Sequence, residues 1–345
     1  MSIFPNIKET LDKQLPFVTY RKPNCSTIKG WFQQNNNLIT SENYSESGFI
    51  FAPFDSREKA ILIPENQSTY FEEKVNIDHI SSNNTNYSSD TASEENHIQL
   101  VEKGIAAIKN QKFKKVVLSR KEKVELLDFN LIETFQKLLN SYPTAFVYVW
   151  YHPKVGLWLG ATPETLVSIK DTNFTTMSLA GTQVYNDTTN VIWQAKEIEE
   201  QQFVTDYITD KLINYCSEIT TSNTETIRAG NLLHLRTLIN GTLKTDNATL
   251  INSLHPTPAV CGMPLEASKQ FILDNENYHR SFYTGFLGEL NINDKESNLF
   301  VNLRCMEVSN KVVYIYVGGG ITRDSNPAKE WQETIAKTTT MKKVL

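Results

Sequence analysis

Residues 145–169 read AFVYVWYHPKVGLWLGATPETLVSI. Within this stretch Ala145 to Tyr151, Gly156 to Gly160 and Thr165 to Ile169 are runs of β-branched, aromatic and aliphatic residues separated by a few turn formers, the pattern of strands that follow one another directly. A parallel crossover needs a dozen or more residues, usually a helix, and none fits between these runs. Working outward, strands are expected at Lys115 to Leu126, Asn298 to Val308 and Val312 to Val317, and helices at Leu131 to Leu139, about Val191 to Tyr215, and Ala328 to the C-terminus. Strands that come in adjacent pairs favour an α+β fold with mixed or antiparallel sheets over a doubly wound parallel one.

Upstream lie further short strands such as GFIFAPF (48–54) and KAILIPE (59–65), then the polar run SSNNTNYSSDTASEEN from Ser81 to Asn96. That run has too little apolar surface to offset the entropy of ordering it, so it is expected to be an exposed loop. Beyond it Ile98, Val101, Ile105 and Ile108 recur at helical spacing. The expected organisation is residues 1–96 as N-terminal strands of the same fold and 97–345 as the catalytic region.

With 40% hydrophobic and 10% aromatic residues the chain is expected to be an ordinary soluble globular protein. A formal charge of −5 supplies no basic field to gather a nucleic acid, so none is expected as a partner. Cys25, Cys216, Cys261 and Cys305 form no CxxC pair and are expected to be buried free thiols in a reducing cytoplasm. No secretory signal and no run of about 18 apolar residues is present, so no membrane association is expected. GxGxxG, GxxxxGK[ST], GxSxG and HExxH are all absent.

Several residues are out of place for a purely structural role. Lys115 shares a face of its strand with Val117 and Ser119, and burying its charge is costly unless it is paired. Glu164 follows Pro163 at the end of a strand, where a partly desolvated carboxyl could hold its proton near neutral pH and donate it. On the helix KEIEEQQFVTDYITDKL, Glu197 and Glu200 are neighbours three residues apart, with Lys196 placed to neutralise one. They are either a solvated charged stripe or oxygen ligands for a hard cation such as Mg²⁺. On the last helix, Glu330, Glu333 and Lys337 share one face behind an Asn326-Pro327 start. Gly318 to Gly320 follow an apolar strand and make either a tight turn or a backbone concavity for an anion. His255 and Thr257 sit between prolines, and Arg304 interrupts an apolar strand, where it calls for a bidentate carboxylate from the protein or a ligand.

Taken in order, KVVLSR, GATPETL, SLAGT, the KEIEEQ helix, LHPTPAVCG, FYTGFLGEL, NLRCMEV and GGGITRDSNPAKEWQETIAK resemble the chorismate-utilising enzymes over about residues 97 to 345. The resemblance implies one large α+β domain of two packed mixed or antiparallel sheets with helices outside, and a site between them for chorismate and Mg²⁺. The family divides by nucleophile, and a lysine at the first position of KVVLSR resembles the branch that adds water. HPTPAV also differs from the HPAGTV-like form of anthranilate synthase.

The function this implies is that of an isochorismate synthase, serving menaquinone or siderophore synthesis, with no glutamine amidotransferase subunit. By the same resemblance Lys115 corresponds to the base that activates water for attack at ring carbon 2. Glu164 corresponds to the acid that protonates the departing 4-hydroxyl. Glu200 and Glu333 correspond to direct Mg²⁺ ligands, with Glu197 and Glu330 binding its waters. Arg304, Gly318 and Lys337 correspond to carboxylate-holding positions, Gly181 to a lining of the ring, and His255 and Thr257 to substrate-binding positions. Gln201 and Cys261 stand where histidine and glycine are usual. Two alternatives are a salicylate synthase, which goes on to eliminate pyruvate, and a metal-dependent carboxylate-binding protein without catalysis.

Overall fold

The computed structural model describes residues 2–74, 91–229, 232–293 and 295–345. Among these residues nine strands form one sheet and ten a second, and the neighbouring strands run antiparallel in both. The α+β expectation therefore takes its purely antiparallel form.

Period-2 alternation explains the layering. In Phe146–His152, Phe146, Tyr148 and Trp150 enter the layer between the sheets, where they meet Phe49, Phe51, Phe282 and Phe300. Val147 and Val149 point the other way, into an outer core shared with the helix Leu131–Ser141. Both faces of the strand are thus apolar and covered, each large buried side chain contributing roughly 1.5–3 kcal/mol over an exposed one. The second sheet is covered on its outer face by the helices Ala195–Leu212 and Asn247–Leu254. The N-terminal strands enter both sheets: Phe17–Arg21 lies between Phe146–His152 and Thr27–Gln33, while Gly48–Ala52 pairs with Phe286–Ile292.

The feature that positions the site is a pair of crossings between the sheets. Gly156–Thr162 belongs to the first sheet and Thr165–Lys170 to the second, so Pro163 and Glu164 lie in the passage. The chain returns at residues 302–304. Asn298 to Val308 is not the single strand its composition predicts: Glu296–Val301 is in the second sheet and Cys305–Ser309 in the first. The break is made by tertiary bonds. Asn302, fully buried, accepts from Tyr148 Oη at 2.6 Å and donates to the Phe282 carbonyl at 2.9 Å, and Arg304 turns the backbone at φ 47°. The two crossings are stitched together: Thr162 Oγ1 donates to Val301 O (2.6 Å), Val301 N to Glu164 O (2.9 Å) and Ala161 N to Arg304 O (3.0 Å).

Three other expectations change. Of the run expected as a loop, residues 81–90 lie outside the described residues, whereas 91–96 open the helix Thr91–Lys109. Packing outweighs composition there: His97, 3% exposed, lies against Trp331 of the helix Pro327–Lys342 with ring centroids 6.0 Å apart. The glycines 318–320 do not leave the strand, which runs Val312–Ile321 and keeps its register with Ser119, Leu118 and Val117. All four cysteines are free, but Cys25 is exposed. Among the described residues no helix is long and apolar enough to cross a membrane.

Candidate active site

A cavity of about 310 Å³ opens where the two sheets exchange strands, within the size range of small-molecule sites. Every residue given a catalytic, substrate or metal role from the sequence lines it except His255 and Thr257.

The crossings supply an acid and a cation on fixed backbone. Glu164 is buried; desolvation pushes its carboxyl up to about 7, with Lys115 and Arg304 pulling against that rise. A carboxyl so placed is both a proton donor and an acceptor near neutral pH. Arg304 is half-buried, and desolvation lowers its guanidinium from its ordinary value, though arginine keeps its charge. No carboxylate lies within ion-pair distance of it among the described residues. Its left-handed backbone is uncommon for a residue with a Cβ, and such conformations concentrate at functional sites. The bidentate partner that the sequence calls for is thus not found among the described residues.

Lys115 begins the strand Lys115–Glu125, anchored by Ser268 Oγ donating to its carbonyl at 2.9 Å. Its ammonium donates to Glu200 Oε1 at 2.6 Å. Burial raises the Glu200 carboxyl, but Lys115, backed by Lys196 and Lys337, outweighs burial and holds it below the usual range. Gly320 makes room for this lysine, since a Cβ there would meet Lys115 Cε at 3.0 Å.

The two acidic helices face each other across the cavity. Asn326 caps the helix Pro327–Lys342, its side chain accepting from Lys329 N at 3.1 Å. Lys337 pairs with Glu333 (2.6 Å) and donates to Gly318 O (2.9 Å), so it is the carbonyl of Gly318 that is in use. Glu330 Oε2 is buried without a hydrogen-bond partner among the described residues, and burial, opposed by Ser325 and reinforced by Glu333, raises its carboxyl above the usual range. A Cβ on Gly319 would lie 3.3 Å from that oxygen and 3.8 Å from Glu333 Oε1. On the opposite helix Glu197 Oε2 accepts from Gln194 N (2.9 Å), closing a capping box. Gly181, at φ 68°, could not carry a Cβ without strain and would press it on Glu197 Cβ at 3.2 Å. Among the described residues no three acidic, histidine or cysteine groups already converge as a metal centre. The donors are nonetheless the right kind for a hard cation: carboxylate oxygens on two helices, one of them orphaned in a buried position.

The cavity lining carries four cationic residues (Lys115, Lys196, Arg304, Lys337) and five glutamates (164, 197, 200, 330, 333). A dicarboxylate entering it would find no net positive charge. A bound divalent cation would supply it.

Two predicted residues point elsewhere. His255 Nε2 lies 2.9 Å from the Pro53 carbonyl and its ring stands edge-on to Phe286, so it is part of the core. Thr257 is buried away from the cavity, which Ala259 and Val260 of the same segment line instead. Gln201 donates to Ser178 O, Ser178 Oγ and Thr237 Oγ1, tying its helix to the sheet. Sequence reasoning missed Tyr283 and His234, both at the cavity wall. The signal for His234 was a polar residue in the apolar strand NLLHLRTLIN.

Comparison with known proteins identifies the family and the fold. The family model described as chorismate binding enzyme matches residues 49–345. Isochorismate synthase DhbC of Bacillus subtilis (strain 168) is 30% identical over 263 residues, 70% of this chain and 65% of that protein. Isochorismate synthase MenF of Escherichia coli (strain K12) is 32% identical over 185 residues, 51% of this chain and 42% of that protein. The matches thus span less than two thirds of either relative. The solved structure of a 2,3-dihydroxybenzoate-specific isochorismate synthase, DhbC, from Bacillus anthracis superposes with a TM-score of 0.81 over 98% of both chains at 23% identity, a likeness of fold.

Proposed function

The chain belongs to the chorismate-binding enzymes, and from that premise we propose that it is an isochorismate synthase, interconverting chorismate and isochorismate. The observation that carries this reading is Glu164, a buried carboxyl held at about 7 in the same cavity as a strand-anchored lysine. The isomerisation needs one group to take a proton from water and another to deliver one to a hydroxyl. A pure binding protein needs neither.

In the forward direction Lys115, once its ammonium has given up a proton, accepts one from water as the water oxygen bonds ring carbon 2. Both ring double bonds shift, the bond to the 4-hydroxyl breaks, and Glu164 gives its proton to the departing oxygen, which leaves as water. One proton is taken and one given, so the reverse reaction uses the same groups with roles exchanged. Arg304, without an ion-pair partner among the described residues, holds a substrate carboxylate through two charge-assisted bonds. Lys337 can turn from Glu333 and Gly318 to a second carboxylate.

Mg²⁺ fits the residues present and is proposed as the cofactor. Glu200 and Glu333 would hold it, with Glu197 and Glu330 beside them, and the ion would supply a positive field that fixes the ring carboxylate. Glu330 Oε2 lacks any hydrogen-bond partner among the described residues.

The test is product analysis. Purified protein with chorismate and Mg²⁺ at neutral pH should yield isochorismate, separated chromatographically, and isochorismate supplied instead should return chorismate. Salicylate fluorescence with stoichiometric pyruvate would replace this reading by salicylate synthase, and no conversion in either direction would leave a binding protein.

A further inference from the structure

The strand Lys115–Glu125 has two working faces. Lys115 and Val117 line the cavity, while Val116 and Leu118 pack on the other face with Val101 and Ala107 of the helix Thr91–Lys109. Arg120 and Glu122 continue that second face and are also buried. An apolar residue would be the ordinary choice at position 120, because taking a guanidinium out of water is costly. Instead Arg120 Nε donates to Thr334 Oγ1 at 2.8 Å, and its guanidinium carbon lies 4.4 Å from the centre of the Trp331 ring. Thr334 Oγ1 in turn donates to the Trp331 carbonyl at 2.8 Å. Arg120 Nη1 is 2.8 Å from Glu122 Oε2, and the other oxygen of Glu122 pairs with Lys342. The strand therefore grips the helix Pro327–Lys342 at Trp331, at Thr334 and again at Lys342.

Trp331 and Thr334 are the sequence neighbours of Glu330 and Glu333, which line the cavity. One residue is about 100° around a helix, so the row that Arg120 holds and the row that faces the cavity are adjoining sides of the same turns. A rotation of about 20° would carry the Cα atoms about 0.8 Å sideways, and the carboxylate oxygens further. Mg²⁺ demands near-ideal octahedral geometry at roughly 2.0–2.1 Å, so it would feel such a shift. The other grips on this helix are weaker guides. Lys337 bonds Gly318 O but is proposed to turn to a ligand, and Tyr142 Oη reaches only the Thr340 carbonyl in the last turn. We propose that Arg120, outside the cavity, is the positioning residue that fixes the rotation of the helix Pro327–Lys342 and thereby aims Glu330 and Glu333 at a divalent cation. The inference rests on the Mg²⁺-dependent function proposed above and deepens it. Because Lys115 opens the same strand, one element sets the base and the cation ligands relative to each other.

The experiment reads metal binding apart from turnover. Mg²⁺ dissociation constants are measured by calorimetry on substrate-free protein, with melting temperature and kcat at saturating Mg²⁺ beside them. The proteins are the native chain, Arg120→Met, Thr334→Val, Thr334→Ser and the packing control Val101→Ala. Arg120→Met should weaken Mg²⁺ binding about five- to tenfold, the low end of what the partners of metal ligands contribute, with kcat at saturation within about twofold of native. Thr334→Val keeps the shape but loses the hydroxyl, and should weaken binding by a similar factor. Thr334→Ser keeps the hydroxyl but loses a buried methyl group, so it should melt earlier and still bind Mg²⁺ within about twofold of native. Native affinity in both Arg120→Met and Thr334→Val would overturn the proposal. So would an affinity that merely follows melting temperature across the set, Val101→Ala included. If Arg120→Met does not fold, the contrast between the two threonine variants decides. Native protein that binds no Mg²⁺ sinks this proposal, whereas protein that binds Mg²⁺ and converts no chorismate sinks the function proposed above and leaves the calorimetric contrast to judge Arg120.

Discussion

The two crossings between the sheets and the two acidic helices furnish the same cavity in opposite ways. Glu164 and Arg304 stand on backbone bonded to itself on both sides, and neither has a counter-ion among the described residues. Glu200 and Glu333 are each held by a lysine at 2.6 Å. The first pair is ready for a ligand as it stands; the second must exchange a lysine for a cation. The proposed proton donor and carboxylate holder are therefore built into the crossings, while the proposed cation site is assembled by replacing ion pairs that already exist. Partner exchange among charges costs little because no carboxylate is left bare at any stage.

The sharpest way to break the comparison is to remove the proton-handling groups. Lys115→Ala and Glu164→Gln should each lower kcat by about 10²- to 10⁴-fold, the usual contribution of a positioned acid or base, with KM changed far less. Near-normal turnover by either variant would transfer its role to another group. Glu164 also sets a pH limit. An acid held at about 7 loses its proton above that value, so kcat/KM for chorismate should fall as pH rises through about 7. A profile flat from 6 to 8.5 would remove it as the donor.

Next comes Arg304. Arg304→Leu removes charge-assisted bonds worth about 1.5–3 kcal/mol each, so kcat/KM should drop by at least tenfold, expressed mainly in KM. Arg304→Lys should recover little of it, because an ammonium lacks the planar fork. Full recovery by lysine would mean that only charge matters at this position.

That Arg304 is a candidate for the site was legible in the sequence, and it does line the cavity, but its setting was not legible. An arginine in NLFVNLRCMEV is conspicuous against apolar neighbours, yet no glycine or proline marks the break at 302–304. The break is made by Asn302 bonding to Tyr148 and Phe282, partners far away in the chain. Lys115 and Glu164 were legible for the same reason as Arg304: a charge in an apolar strand, or beside a proline at its end, has few structural excuses. His255 failed the converse test. A histidine between prolines looks available, but which side of the segment faces the cavity is decided by where Pro53 packs. The helix start at 91–96 was hidden because composition speaks for disorder and only contact with Trp331 overrules it.

A gentler probe addresses the helices. Glu333→Gln removes one anionic oxygen pair from the proposed cation site and frees Lys337 of its partner. The Mg²⁺ concentration for half-maximal activity should rise about tenfold, while kcat at saturating Mg²⁺ stays within a fewfold of native. Chelator should abolish activity in both proteins, and Mg²⁺ restore it. Activity that survives chelation would return these glutamates to the status of lysine-paired surface charges.

The smallest effect should come from a single methyl group. In Gly319→Ala the new Cβ would approach Glu330 Oε2 to 3.3 Å and Glu333 Oε1 to 3.8 Å. Both are the free ends of flexible side chains, so a few tenths of an ångström can be yielded without moving backbone, and thermal stability should stay close to native. What the methyl group changes is where the orphaned oxygen of Glu330 can sit, so Mg²⁺ affinity should shift by only two- to threefold with kcat unchanged. Gly181→Ala is the contrast on the other helix's side. Its φ of 68° and the Cβ of Glu197 at 3.2 Å give the added methyl group nowhere to go, and it should cost about 1–2 kcal/mol of stability whether or not metal is present. If Gly319→Ala proves the more destabilising of the two, the glutamates it touches are fixed rather than exchangeable, and the distinction between a rigid crossing and a yielding pair of helices fails at its most sensitive point.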